Sequence, residues 1–345
     1  HFALTDFDND GIIDFLIVTN PKQPGVVWDE YGPECDTSVG ACYTKEGSIS
    51  VLKVEKIKYF DSFRYTAHDV TGLLYSDNPI EMNGTYTTEL HLADFNGDGK
   101  VDVFATDTTS INMDKSGKND VYFLSNEEGL GWTESTATHV SGEWCCVTKW
   151  TKGHGVKEGK GLINFSHGSS VGDIDGDGDI DIVVTSIAWH GKSKRTENGF
   201  IYCYINQGDG HMKVRQCGNQ WGNTAELGDI DNDGDLDLVW GSKTFAALKF
   251  FDRIDYVPGC TSKDCNGTFS GILLNDGTGN FYERGFRFTD EVNSLGIPYH
   301  ATPNVGVVDL DGDGDLDVVR NHVGYAYAGA AMTIEENIGN EQFKT

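Results

Sequence analysis

The chain has 345 residues, 38% hydrophobic and 23% charged, which gives a globular protein with ample core and excludes a disordered chain. Its formal net charge of −28 argues against nucleic acid or an anionic membrane surface as a partner. No apolar run approaches the roughly 18 residues of a membrane span, so no membrane insertion is expected within it.

The chain starts at His1 rather than Met, as expected of a processed or trimmed product. Its first element is DFDNDGIID, Asp6–Asp14, between ALTD and the β-branched run FLIVT. Short Val/Ile-rich flanks without a 3.6-residue period predict a strand on each side of a loop. An insertion near 20–46 follows, holding Cys35 and Cys42, and residues 45–86 carry further strand-like stretches, GSISVLKVEKIKYF and TGLLYSDN, with room for an unmarked repeat unit. The loop pattern D-x-[DN]-x-D-G-x-x-D returns at Asp94–Asp102, and VYFLS then leads into Asn126 and a glycine-containing hairpin signal.

An insertion near 139–166 brings Trp144, the adjacent Cys145 and Cys146, Trp150 and His154. The third loop is Asp173–Asp181, followed by Trp189 and His190, and IYCYI then runs into the Asn206 hairpin between Cys203 and Cys217. Trp221 precedes the fourth loop, Asp229–Asp237. An insertion near 243–268 holds Lys243, Cys260 and Cys265, after which GILL enters the Asn275 hairpin. Tyr299 and His300 precede the fifth loop, Asp309–Asp317, and the last hairpin starts at Asn337.

One unit is therefore strand A, acidic loop, strand B, a variable connection, strand C, an Asn/Gly hairpin and strand D. A repeated four-stranded antiparallel unit is a propeller blade. The expected fold is all-β, a single β-propeller domain over residues 1–345, with five blades marked by acidic loops and a total of five to seven. The chain begins on a strand A and ends on the start of a strand D, so ring closure is expected to join the termini.

Several carboxylates crowded within a few Å require a cation. Calcium takes six to eight hard oxygen ligands, and side chains at loop positions 1, 3, 5 and 9 can wrap one ion. The expected ligands are Asp6, Asp8, Asp10 and Asp14; Asp94, Asn96, Asp98 and Asp102; Asp173, Asp175, Asp177 and Asp181; Asp229, Asp231, Asp233 and Asp237; and Asp309, Asp311, Asp313 and Asp317. About five calcium ions follow, the weakest at the Asn96 loop, and magnesium suits such a cage poorly. Position 12 holds Ile17, Ala105, Val184, Trp240 and Arg320 instead of a bidentate Glu, which excludes EF-hands.

The eight cysteines are read as local disulfides Cys35–Cys42, Cys203–Cys217 and Cys260–Cys265, with free buried thiols as the alternative. By elimination Cys145 and Cys146 bond each other; alternatively each reaches a distant cysteine. Sequons at Asn83, Asn164 and Asn266, beside these cysteines, favour a secreted glycoprotein of a eukaryotic secretory pathway.

These loops and hairpins resemble the FG-GAP or VCBS repeats of integrin α-subunit propellers. Similar repeats occur in the T-cell immunomodulatory protein family and in some fungal lectins. The resemblance implies a calcium-loaded extracellular propeller, an architecture that hosts adhesion, glycan binding, enzymes and scaffolding alike.

With the acidic loops on one face, the starts of the A strands surround the opposite channel mouth. That mouth would collect Glu89, His167, Asn223, His300 and Tyr299, with Trp189, His190, Lys243 and Trp221 near by. Rings with scattered polar groups suit sugar recognition, and Trp and Tyr packed between blades are the plainer alternative. Of these, His167, Trp189, His190, Trp221 and His300 are the candidate ligand-binding residues. No G-x-S-x-G, H-E-x-x-H or P-loop motif occurs, so no catalytic residue is assigned. The leading expectation is an adhesion or binding module for a glycan or an extracellular protein. The alternatives are a polysaccharide lyase at the channel mouth, or a homo-oligomeric subunit of an extracellular filament.

Overall fold

Strands form where β-branched and apolar residues cluster, and the turns between them fall on the Asp/Gly loops and Asn/Gly hairpins. The computed structural model describes residues 2–6, 10–19, 27–29, 32–34, 47–59, 62–69, 81–82, 87–107, 120–125, 132–142, 166–186, 201–218, 222–241, 270–288, 301–323, 330–339 and 342–344. No helix among them is long and apolar enough to cross a membrane.

The first sheet is built from β1 (Phe2–Thr5), β2 (Asp14–Thr19), β5 (Gly47–Tyr59) and β6 (Ser62–Asp69), in that spatial order, with β7 (Glu81–Met82) also pairing β5. The small hairpin β3 (Val27–Asp29) and β4 (Gly32–Glu34) lies between β2 and β5 in sequence. GSISVLKVEKIKY is therefore strand C of the first sheet and not the start of an unmarked unit, because β2 pairs with β5 from Phe15↔Leu52 to Thr19↔Ser48. TGLLYSDN lies outside the described residues.

The second sheet is β8 (Thr87–Ala93), β9 (Asp102–Asp107), β10 (Val121–Ser125) and β11 (Trp132–Glu134). After a helical turn, Thr136–His139, the strand β12 (Val140–Gly142) joins the third sheet, pairing parallel with its outer strand. Residues 140–142, expected within an insertion, are thus a fifth strand of that sheet. Its other strands are β13 (Ser166–Gly172), β14 (Asp181–Ser186), β15 (Ile201–Asn206) and β16 (Met212–Gly218). The fourth sheet is β17 (Thr224–Gly228), β18 (Asp237–Gly241), β19 (Ser270–Asn275) and β20 (Phe281–Phe288). The fifth is β21 (Ala301–Val308), β22 (Asp317–Val323), β23 (Ala330–Asn337) and β24 (Phe343–Lys344). First and fifth sheets are each made from contiguous chain, and among the described residues they share no strand.

The second to fifth sheets stack face to face. Phe95, Phe104 and Tyr122 of the second sheet share a core with Ile182, Tyr204 and Met212 of the third. Ile174, Val183 and Cys203 of the third meet Leu238, Trp240 and Leu273 of the fourth, and Ile230, Val239 and Ile272 of the fourth meet Val318 of the fifth. This explains why IYCYIN and SGILLN lack alternation: every residue of β15 and β19 is buried, because both faces of their sheets are covered. Burial of each such large side chain stabilises by about 1.5–3 kcal/mol, so these shared cores are the main force between sheets.

The A strands run side by side in the order β1, β8, β13, β17, β21. A Cβ on Gly168 of β13 would lie 2.6 Å from the Thr224 carbonyl carbon and 2.8 Å from the Ala225 nitrogen, so the backbones of β13 and β17 meet there with no room for a side chain.

Polar staples accompany the apolar contacts. Asn206 Nδ2 donates to the Phe95 carbonyl of the preceding sheet at 2.6 Å, Asn275 to Ile174 at 2.8 Å and Asn337 to Ile230 at 3.0 Å. The same amides donate to Ile180, Leu236 and Leu316 of their own loops. Arg215 adds bonds from β16 to the carbonyls of Thr278 and Gly279 in the next sheet.

Candidate metal centre

The backbone of each acidic loop is organised by its own aspartates. Oδ2 of the position-1 residues Asp6, Asp94, Asp173, Asp229 and Asp309 accepts the N–H of the position-6 glycine at 2.7–3.1 Å. Those glycines have φ between +82° and +99°, a region that disfavours any side chain. Oδ1 of the position-5 residues Asp10, Asp98, Asp177, Asp233 and Asp313 accepts the N–H two residues on at 2.9–3.0 Å.

The ninth position has a second task that sequence reasoning missed. Asp14, Asp102, Asp181, Asp237 and Asp317 are all buried at the start of strand B. Their Oδ1 atoms accept N–H groups from strand C of the same sheet, at Val54, Ser125, Asn206, Asn275 and Asn337, over 2.7–2.9 Å. In the last four, Oδ2 accepts the N–H of loop position 2 at 2.9–3.1 Å. This residue therefore clamps loop to sheet, and its signal in the sequence was the apolar run that begins directly after it.

Three loops gather carboxylates tightly: Asp173, Asp175 and Asp181; Asp229, Asp231 and Asp237; and Asp309, Asp311 and Asp317 each place oxygens within 4.8 Å of one another. Positions 1, 3 and 9 form these groups, while Asp177, Asp233 and Asp313 lie outside them, engaged with the turn. In the second loop Asn96 stands at position 3 and its Oδ1 accepts the Asp98 N–H at 3.0 Å. In the first loop Asp8 lies outside the described residues.

The fit of a cation can be tested on the oxygens themselves. Oδ1 of Asp175, Asp229 and Asp231 is buried without any hydrogen-bond partner. A buried carboxylate oxygen without a donor is costly unless a cation takes it. Burial pushes Asp181 and Asp237 up to about 7, against the pull of their two backbone N–H groups. Asp175 and Asp231 are raised by burial and then by Asp177 and Asp233 beside them. Hard oxygens, crowded negative charge and unused lone pairs suit a divalent cation of the calcium type. Neighbouring loops also touch: Asn232 Nδ2 donates to Asp315 Oδ1 at 2.7 Å.

Residues 173–240, from the third loop to strand B of the fourth sheet, match the FG-GAP-like repeat family. That segment is similar to an FG-GAP-like repeat. It pairs one acidic loop, one Asn/Gly hairpin and the next acidic loop, the unit that recurs along the chain. No curated protein sequence matches the chain. Among solved structures it is similar to the V. cholerae biofilm matrix protein Bap1, at 13% identity and TM-score 0.43 over 98% of this chain and 37% of that one. It is also similar to Trypanosoma rangeli sialidase in complex with sialic acid, at 10% identity and TM-score 0.35 over 95% of this chain and 43% of that one. The chain spans under half the length of either.

The inner strands carry a second polar group. Glu89 accepts both the N–H of Ser169 and its hydroxyl, the latter at 2.9 Å, and His91 Nε2 lies 2.7 Å from the same hydroxyl oxygen. The serine has one proton and gives it to Glu89, so His91 donates from Nε2. That direction is opposite to the one that would activate a serine nucleophile, where imidazole accepts. Burial, then the Glu89 charge, raises Glu226 on β17. His91 and Ser169 escaped sequence reasoning, although Glu89 and His91 two apart on one strand share a face.

His167 Nδ1 lies 3.0 Å from the Asn223 carbonyl, so Nδ1 carries the proton and these two expected mouth residues do meet. Glu89 turns to Ser169 instead. Trp189, His190, Trp221, His300, Tyr299, Lys243, Trp144, Trp150 and His154 lie outside the described residues, as do Asn83, Asn164 and Asn266. Cys203 and Cys217 form a disulfide between β15 and β16. Cys35, Cys42, Cys145, Cys146, Cys260 and Cys265 fall outside the described residues.

Proposed function

We propose that the chain is an extracellular calcium-stabilised β-propeller that binds a glycan or a protein ligand. The observation that carries the calcium reading is the repeated loop whose buried oxygens on Asp175, Asp229 and Asp231 lack any donor. The ligands of each ion are then the side chains of positions 1, 3 and 9, aspartates everywhere except Asn96 in the second loop, joined by position 5. Up to five ions are held, with the Asn96 loop binding most weakly, because it offers one carboxylate fewer. Five sheets with adjacent A strands are the blades, and the chain is one domain. A structural ion cross-braces the loop between strands A and B and leaves the inner-strand mouth around Glu89, His91, His167 and Asn223 as the ligand surface. The Cys203–Cys217 disulfide agrees with an oxidising compartment.

The test has two arms. Purified protein should contain calcium by elemental analysis, and chelation should lower its melting temperature; no bound calcium and an unchanged melt would overturn the metal reading. A glycan array and a pull-down from extracellular matrix, each with and without chelator, then test the ligand. Absence of any ligand from folded, calcium-loaded protein would remove the binding function and leave the fold intact.

A further inference from the structure

The hairpin between β15 and β16 carries a polar group that neither the acidic loops nor the inner strands use. β12 lies parallel to β16 with Val140 opposite Met212, and a histidine precedes each of these two residues. Paired strands lie about 4.8 Å apart, so residues in register sit side by side. His139 and His211 accordingly meet, with ring centres 4.4 Å apart and planes 32° from parallel. His211 belongs to the third sheet's hairpin, whereas His139 ends the helical turn Thr136–His139. That turn is tied to the second sheet: the Ser135 N–H donates to the Tyr122 carbonyl, and the Tyr122 N–H donates to Thr136 Oγ1.

The protons on both rings follow from their partners. Asp209 Oδ1 lies 2.9 Å from His211 Nδ1 and also accepts the His211 backbone N–H at 3.1 Å. These bonds, the backbone one first, hold the carboxyl below its usual range, so it stays ionised and only accepts. His211 Nδ1 therefore carries a hydrogen. Thr138 Oγ1 lies 2.7 Å from His139 Nδ1 and gives its single proton to the Ser135 carbonyl at 3.1 Å. It too must accept from the ring, so His139 Nδ1 also carries a hydrogen. Each Nε2 is left with its lone pair, and neither has a hydrogen-bond partner among the described residues.

An imidazole held at Nδ1 by an oxygen acceptor and open at Nε2 is oriented as metal-ligating histidines are. With metal–nitrogen bonds of about 2.0–2.1 Å, two imidazoles at a right angle on one ion have ring centres about 4.5 Å apart. The pair stands at nearly that separation. Right-angled ligands suit tetragonal Cu²⁺ or Ni²⁺ better than tetrahedral Zn²⁺, and Cu²⁺ leads the affinity order for nitrogen donors. Calcium takes hard oxygens and does not compete for these rings.

We propose that His139 and His211 form a site for a divalent transition-metal ion, Cu²⁺ ahead of Ni²⁺ and Zn²⁺, bound through both Nε2 atoms with water in the remaining positions. Asp209 and Thr138 are its positioning residues. The ion fastens the turn of the second sheet to the hairpin of the third, apart from any calcium held in the acidic loops.

Isothermal titration of the calcium-saturated 345-residue chain with Cu²⁺, in glycine as a weak competitor, tests this. Wild type should take up one Cu²⁺, and pulsed electron paramagnetic resonance should find two imidazoles on it. His139→Ala and His211→Ala should each weaken binding by roughly 100-fold, because a chelate becomes a single contact. His1→Ala removes the imidazole beside the amino group of residue 1 and should leave both readouts unchanged. One equivalent of Cu²⁺ should also raise the melting temperature of wild type and not that of His211→Ala. The resonance signature is read on wild type, so it decides even where a variant folds poorly. Fewer than two imidazoles on the ion, uptake that survives in both variants or is lost with His1, or an unchanged wild-type melt would overturn the proposal.

Discussion

Asp231 illustrates how one carboxylate serves two states of the protein with opposite sign. Its Oδ1 is buried without a donor, and burial together with Asp233 makes its charge unfavourable when no cation is present. Asp231→Asn removes that charge at nearly constant shape. The variant should melt higher than wild type in chelator and lower than wild type in calcium, each by roughly 1 kcal/mol. Paired calorimetric melts check this, and a shift of the same sign in both conditions would mean that Asp231 is not a metal ligand. At this scale the sequence was readable where chemistry is local. Positions 1, 3 and 9 announce themselves as oxygens at fixed spacing, and the position-6 glycine as a left-handed turn. The ninth aspartate was only half legible, since its bonds to Asn206 or Asn275 cross from the loop to another strand and leave no mark in the nine-residue pattern.

Between elements, the asparagines that open the hairpins do more than turn the chain. Asn275 joins the carbonyl of Ile174 in the preceding sheet to that of Leu236 in its own, and its Oδ1 accepts the Gly279 N–H at 3.1 Å. Asn275→Asp keeps the acceptor and loses both donors, so two buried carbonyls face a carboxylate. A loss of about 2–3 kcal/mol in a denaturant titration is expected, against about 0.5 kcal/mol or less for a surface replacement such as Asn280→Asp. Gly168→Ala is a second probe, because the added methyl would press on the Thr224 and Ala225 backbone. Separating β13 from β17 should cost about 1–3 kcal/mol, and an unchanged midpoint would show that the inner strands have slack. Strand identity and the A-to-D order were legible from β-branched runs and hairpin residues. The extent of the first unit was not, because its strand C lies beyond a long connection and nothing in GSISVLKVEKIKYF names its partner. β12 was missed because three residues, Val140–Gly142, are too short for any period.

For the whole molecule, stability should depend on pH with a slope set by calcium. Asp181 and Asp237 titrate at about 7 instead of 3.8 in the chain without cation. A raised acid stabilises the fold below its unfolded value and loses that contribution as pH rises through its folded value, so the apo protein weakens between about pH 4 and 7. Buried His322 is shifted the other way, to about 4 from 6.5, by burial and by Arg320 near by. Its contribution is complete above 6.5 and is lost as pH falls towards 4. In chelator the two aspartates outweigh the histidine, and the melt should be higher at pH 5 than at pH 7. With calcium bound the carboxylates stay ionised, the histidine's contribution remains, and the order should reverse. Scanning calorimetry at both pH values, with and without calcium, decides; the same slope in both would remove the aspartates as the source.

The amide staples also give the stack a mechanical direction. Asn206, Asn275 and Asn337 each reach back to the sheet made before them, whereas Ser125, at the same place in the second sheet, has a single hydroxyl and points it at Asp98. Among the described residues the amide staples run between consecutive sheets from the second to the fifth, so under tension along the chain these four travel as one riveted block.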